Sequence, residues 1–346
     1  MGALGPAFLA ACSSTSSTTT TPGSGTVAGG GSAANFGTLD YQFSWIKNVE
    51  FGGQYIADTN GYYKNAGFSG VNFMSGGPNV QQDSIVASGK AFIGISAPDI
   101  AAPAILGGAP IIAVAALFQK NPFCVMSLAS KPIKTPQEMV GKKIGVQSVN
   151  EPVWNSFLKA NNLDPASIDK VPAQFDPSPL KNGEVDGWFS FITNEPNLLK
   201  TQGVETVTFL LNDFNYPLVS QIYIVKASSI QTDREKIKAV LKADIQGWQG
   251  AIKDPALPAK LTVTNYGKDL GLDEAEQTLE SKAQNELIVT ADTKANGIMT
   301  ATPALLDKTI ATLKLSGTEI EKSKLFDMSL IEEVYKENPS LKTLPS

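Results

Sequence analysis

The chain contains no histidine. That absence excludes imidazole general acid–base chemistry, Ser–His and Cys–His nucleophiles, and His-ligated metals. Arginine occurs once, at Arg234, in the expected first turn of a surface helix. A site built on a bidentate guanidinium clamp for sulfonate, phosphate or carboxylate is therefore disfavoured. Net charge is −5, with no basic cluster, which argues against nucleic acid and anionic lipid as partners. Past the N-terminal stretch, no apolar run approaches the ~18 residues needed to span a bilayer. The longest, 109–117, reads as a buried strand. No metal and no cofactor is expected.

What is present suits a folded protein of two domains. The length is 346 residues, with 42% hydrophobic and 18% charged residues, ordinary values for a globular chain. Near the N-terminus, Leu9-Ala10-Ala11-Cys12 ends an apolar run. A tract rich in Ser, Thr and Gly follows, which behaves as a random-coil leash. The four residues resemble the lipobox of a bacterial lipoprotein, with Cys12 as the lipidated first residue of the mature chain. No Lys or Arg precedes Cys12, so the positive n-region is missing; a start codon called too late accounts for that. The competing reading is an unstructured N-terminus with a chance cysteine. With Cys12 used for lipid, Cys124 is left alone and an intramolecular disulfide is excluded. Stable anchoring needs more than one acyl chain, and bacterial lipoproteins carry two or three.

The body of the chain alternates strand and helix signals. Thr38 to Trp45, Val71 to Met74, Ala91 to Ser96 and Pro110 to Phe118 read as strands, with helices from Phe51, Val80 and Pro98 between them. Such a series predicts a largely parallel sheet with helices on its faces. A second α/β unit follows, with strands at Phe123 to Ala129, Lys143 to Gln147, Val185 to Phe191, Thr206 to Leu211 and Gln221 to Lys226. Thr135 and Glu138 have capping-box spacing. From Asp233 the pattern turns helical, with Ile237, Val240, Leu241, Ile245, Trp248 and Ile252 on one face. The expected division is a signal segment 1–11, a linker 12–36, one lobe from 37–125 with 227–346, and a second lobe 126–226. A ligand cleft between the lobes is expected at the carboxyl ends of the strands.

Several segments together resemble ABC-transporter substrate-binding proteins, in the branch of the pyrimidine-precursor and alkanesulfonate binders. They are Gly52-Gly53-Gln54-Tyr55-Ile56-Ala57, Ser75-Gly76-Gly77-Pro78, Lys142 to Val146, Asn182 to Gly187 and Thr193-Asn194-Glu195-Pro196. The resemblance implies an α/β, type II periplasmic-binding fold whose helical C-terminal region packs on the first lobe. It also implies ABC permease and ATPase partners. Fungal relatives are pyrimidine synthases that consume one of their own histidines; a chain without histidine cannot do that chemistry in the same way.

The candidate ligand-binding residues each have a structural alternative. Glu195 is a carboxylate for a ligand N–H, as the family's matching Glu is, or an acidic first turn capped by Asn194. Trp45 is a stacking platform or a core aromatic; Trp154 and Phe191 equally fill a core. Asn48 and Glu50 lie in a loop. Gly52, Gly53, Gly76 and Gly77 either open backbone N–H groups to a ligand or permit tight turns. Ser96 points to the cleft or, with Asp99, caps the Pro98 helix; Gln147 ends a strand at the cleft.

The function expected from these readings is an extracytoplasmic, lipid-anchored, monomeric solute receptor of an ABC importer, and not an enzyme. Its expected ligand is a heteroaromatic, first an aminopyrimidine thiamine precursor. Riboflavin follows, then alkanesulfonate or nitrate. A pyrimidine synthase-like enzyme is the contrasting class.

Overall fold

The computed structural model describes residues 35–345. The signal segment 1–11, the lipidation residue Cys12 and the linker up to residue 34 lie outside the described residues. Phe36, assigned to the linker above, already belongs to the fold. Its N–H donates to the Gly67 carbonyl at 2.9 Å and its ring packs on Phe68.

Ten strands among the described residues form two five-stranded sheets. They are β1 (Gly37–Gln42), β2 (Phe68–Met74), β3 (Ile93–Ser96), β4 (Ile111–Phe118), β5 (Phe123–Leu128), β6 (Lys143–Gln147), β7 (Asp169–Ala173), β8 (Gly187–Phe191), β9 (Thr206–Leu210) and β10 (Ser220–Lys226). The orders are β2-β1-β3-β10-β4 and β7-β6-β8-β5-β9. Neither sheet is wholly parallel. β10 runs antiparallel to both β3 and β4, and β5 runs antiparallel to both β8 and β9. The reversed strand of each sheet is the one whose chain arrives from the other lobe. β10, read above with the second unit, therefore belongs to the first sheet. β7 carried no clear strand signal; it is polar, contains Pro172 and forms the sheet edge, where a missing N–H is tolerated.

Two short segments connect the lobes, 119–122 and 211–219. Asn121 Nδ2 donates to the Tyr216 carbonyl at 3.1 Å, which ties one connection to the other. Tyr216 in turn donates its hydroxyl to Asp99 Oδ2 at 2.9 Å. Asp99 is thus committed to the connection and does not cap a helix. The residue before Pro98–Leu106 is Ala97, without a side-chain cap bond, so the capping reading of Ser96 fails as well. The capping box at Thr135 is also absent: Glu138 instead accepts from the Lys134 N–H at 2.7 Å, and the segment is a short 3-10 turn.

The Arg234–Lys253 helix buries its expected apolar face, including Ile237, Val240, Leu241, Ile245 and Trp248, against the first lobe. It lies on the Gly52–Thr59 helix through a glycine contact. A Cβ at Gly53 would lie 2.4 Å from the Trp248 ring, and one at Gly247 would strike the Gly53 carbonyl and sit 2.9 Å from Ala57 Cβ. The helical C-terminal region packs mainly on the first lobe. The Glu274–Ile288 helix also reaches the second, touching the Glu195–Thr201 helix.

Gly247→Ala should lose about 1–3 kcal/mol of stability, because the Gly53 backbone and the Ala57 methyl both stand where the new Cβ would go. A urea midpoint unchanged from wild type would show that the two helices slide apart freely.

Candidate ligand-binding site

The strand ends of both sheets converge on one buried cavity. From the first lobe come Ser44, Trp45, Glu50, Gln82, Ser96 and Gln221. The second lobe supplies Asn150, Phe189, Ser190, Phe191, Asn194 and Glu195. Its water-sized space is about 50 Å³, room for only a few waters. The second-lobe wall is aromatic: Phe123 stacks on Phe189 at 5.0 Å and meets Phe191 edge-on at 4.5 Å. Trp45 supplies an indole from the first lobe and is 8% exposed.

The polar groups are unusual in sign. Glu50 and Glu195 are both buried, and no Lys or Arg stands among the lining residues. Glu195 opens its helix directly after β8. Ser190 Oγ donates to its Oε2 at 2.6 Å and the Phe191 N–H donates to the same oxygen at 3.1 Å. Burial pushes its pKa up to about 7, against those two hydrogen bonds. Glu50 accepts from Gln221 Nε2 and, at 3.4 Å, from Ser44 Oγ. Burial pushes its pKa up to about 8, with the nearby Glu195 charge adding to the rise. Gln221 reaches Glu50 from a positive φ of 50°, an uncommon conformation for a residue with a Cβ.

Three side-chain groups on the cavity wall carry unmet hydrogen-bonding capacity. Both polar atoms of Gln82 and the Ser96 hydroxyl are buried without partners. Asn194 stands at the helix N-cap position but makes no side-chain cap bond. The capping account of Asn194 given by sequence thus does not hold.

Of the candidate residues, Trp45, Glu50, Ser96, Phe191, Asn194 and Glu195 line the cavity. The others have structural posts elsewhere. Asn48 donates to Glu280 at 3.0 Å, behind the cavity. Gly52 and Gly53 make helix contacts: a Cβ on Gly52 would lie 2.6 Å from Pro258 Cβ. Gly76 lies against the chain at Phe43–Trp45, its Cβ position 2.6 Å from the Phe43 carbonyl oxygen, and Gly77 takes φ 149° in a turn. Gln147 spends its amide on the Phe189 carbonyl at 2.9 Å and its oxygen on Asn150. Trp154 is 1% exposed and packs edge-on to Phe189 in the core of the second lobe. Sequence reasoning missed Gln82, Ser44, Ser190 and Gln221. Ser44 and Ser190 immediately precede chosen aromatics on strand ends, which was a usable signal. Gln221 carried none, because its strand had been placed in the other lobe.

The carboxyl groups continue behind the cavity. Glu276 and Glu280, on the Glu274–Ile288 helix, are buried and share the Gln277 amide, at 2.6 and 3.1 Å. Burial raises both pKa values; the charges of Glu195 and Asp273 add to the rise at Glu276, and those of Glu276, Glu50 and Glu195 to the rise at Glu280. Each of these four acids therefore holds its proton more tightly folded than unfolded, where the value is about 4.3. For Glu50, Glu195 and Glu276 that contribution to stability is complete below about pH 4 and is lost as pH rises through about 7 to 8, and Glu280 acts in the same direction. The ligand-free protein should accordingly weaken from about pH 5 to about pH 8. Glu50→Gln should lower that slope by about one proton and raise stability at about pH 8. Urea unfolding across the series checks it; identical slopes would show Glu50 is charged in the fold.

Comparison with known proteins bears on this geometry. A formylaminopyrimidine-binding protein from Halalkalibacterium halodurans is 22% identical over 258 residues, which is 72% of this chain and 75% of that protein. The riboflavin-binding protein RibY from Chloroflexus aurantiacus is 23% identical over 218 residues, 61% of this chain and 62% of that protein. Among solved structures, the periplasmic aliphatic sulphonate binding protein SsuA from Escherichia coli aligns with a TM-score of 0.61 at 15% identity. That alignment covers 85% of this chain and 91% of SsuA, and shows a shared type II periplasmic-binding fold. The NMT1/THI5-like family pattern matches residues 48–257, more than half of the sequence, and the chain belongs to that family.

Proposed function

We propose that this chain is the solute-binding component of an ABC importer, and that its ligand is an aminopyrimidine of the thiamine-precursor class. The observation that carries the reading is the pair Glu50 and Glu195, one from each lobe, in a cavity with no lysine or arginine on its wall. Such a wall accepts hydrogen bonds from N–H groups and offers an anion no counter-charge. An amino-substituted pyrimidine offers the N–H donors, ring nitrogens for Gln82, Ser96 or Asn194, and two flat faces for Trp45 and Phe191.

The same observation weighs against the other ligands considered. A sulfonate or nitrate would meet two carboxyl groups and no cation. An isoalloxazine has three fused rings, so it needs the lobes further apart than a single pyrimidine ring does. A synthase using pyridoxal phosphate would need a lysine in the cavity for its Schiff base. The named relatives are consistent with the choice, since one of them binds a formylaminopyrimidine. In this reading the lobes part to admit the ligand and close over it, and the closed form is what a permease engages. Cys12 holds the protein to the outer face of the membrane through the leash.

Trp45 is 8% exposed, whereas Trp154, Trp188 and Trp248 are buried in the cores, so ligand-induced quenching should come mainly from Trp45. Titration of the 35–346 fragment with aminopyrimidines, riboflavin and taurine should give saturable quenching with the aminopyrimidine alone. Glu195→Gln should weaken it roughly 10- to 150-fold, the loss of a hydrogen bond to a charged group. A response to taurine with none to aminopyrimidines would overturn the ligand class. For the anchor, the chain expressed in a bacterium with a basic n-region restored ahead of residue 1 should enter the detergent phase, and Cys12→Ser should move it to the aqueous phase. Equal partitioning would remove lipidation.

A further inference from the structure

A second, larger chamber adjoins the ligand cavity. Trp45 and Asn194 line both, so they form the partition. The outer chamber has about 570 Å³ of water-sized space, roughly ten times the inner one. It lies between the Glu195–Thr201 helix of the second lobe and the N-terminal end of the Glu274–Ile288 helix. Its carboxyl groups are Asp176, Asp273 and Glu276, and no Lys or Arg is among its lining residues.

Glu276 sets this chamber apart from an exposed acidic patch. The side chain is 2% exposed. Its Oε2 accepts from Gln277 Nε2 at 2.6 Å, while its Oε1 is buried with no partner. A buried carboxyl oxygen without a donor is costly, and the cost disappears when a donor or a positive charge arrives. The backbone does not supply one: the Glu276 N–H is already given to Asp273 Oδ1 at 2.8 Å. Aromatic surface is also at hand, from Trp45 and from Phe175, which is 41% exposed. Acid and aromatic walls together are the chemistry that recognises an organic cation.

We propose that this outer chamber is a second subsite that takes a positively charged arm of the ligand whose ring occupies the inner cavity. The inference rests on the ring-binding reading and names what the ring carries. The arm leaves the ring past Trp45 and Asn194. Its charge meets Glu276, with Asp176 and Asp273 at the rim, and its apolar part lies against Phe175 and Leu198.

The test uses two probes with one ring. One is an aminopyrimidine with an uncharged hydroxymethyl group; the other is thiamine, which joins the same ring through a methylene to a thiazolium cation. Trp fluorescence titrations are run on wild type and Glu276→Gln at low and high salt. The expected result is that wild type holds the cationic probe roughly 10-fold tighter than the uncharged one, a margin of about 1.4 kcal/mol. That margin should shrink at high salt and vanish in Glu276→Gln, which keeps its affinity for the uncharged probe. Equal or weaker binding of the cationic probe by wild type, with the uncharged probe bound, would overturn the second subsite and leave the ring site standing. A margin that survives Glu276→Gln would overturn the assignment to this chamber. Failure of both probes would overturn the ring site and the arm together.

Discussion

Four carboxyl groups without a buried cation constrain everything at the centre of this molecule. Glu50 comes from the first lobe, Glu195 from the second, and Glu276 and Glu280 from the helical region that bridges them. Ionised together in a dry interior they would repel strongly. The fold answers with amides and hydroxyls. Gln221, Ser44, Ser190, Asn48 and Gln277 each give a hydrogen bond to one or more of them, and burial shifts the carboxyls toward the neutral form. A neutral carboxyl keeps a proton to donate, so the wall can both accept from and donate to a ligand.

That solution ties recognition to the approach of the lobes. Glu50 and Glu195 stand on opposite lobes, and the rise in the Glu50 pKa includes the field of Glu195. Bringing the lobes together without a partner strengthens that repulsion. A ligand that presents N–H groups to both removes it, so the closed arrangement gains most from a donor-rich ring. The linking segments are suited to such coupling. They are short, tied to each other by Asn121 and Tyr216, and continuous with β5 and β10, the reversed strands of the two sheets. Gln221 sits at the start of β10 and bonds Glu50, so one residue joins a connecting segment to the carboxyl at the cavity.

Much of the frame was legible in the sequence, because its signals are local. Lys143 to Gln147 matched an observed strand residue for residue, and Gly89 closes the Gln82–Ser88 helix in the left-handed conformation that a glycine after a helix favours. The amphipathic face of the Arg234–Lys253 helix was readable from spacing alone. The failures are non-local. Nothing near Ser220–Lys226 says that it pairs with strands more than 100 positions earlier, so its sheet was misassigned and Gln221 was overlooked. The glycines at 52, 53 and 76 were offered to a ligand because their neighbours across the fold, Pro258, Trp248 and the Phe43 backbone, are not visible from their own segments. Trp45 ends a predicted strand and Trp154 lies in a helix, yet each could fill a core on sequence grounds, and only the packing separates a core indole from one on a cavity wall.

The absences that opened the sequence reading acquire a physical sense at this centre. A histidine beside Glu50 or Glu195 would be drawn into an ion pair, and an arginine would clamp a carboxylate with two hydrogen bonds. Either would fill the acceptor capacity that now faces the cavity. The lone arginine is far from it, paired with Glu333 on the outer face of the helical region at 2.5 Å. With internal cations withheld, the positive charge or the donors that these carboxyls require must come from what binds. The aromatic walls then restrict that requirement to something flat.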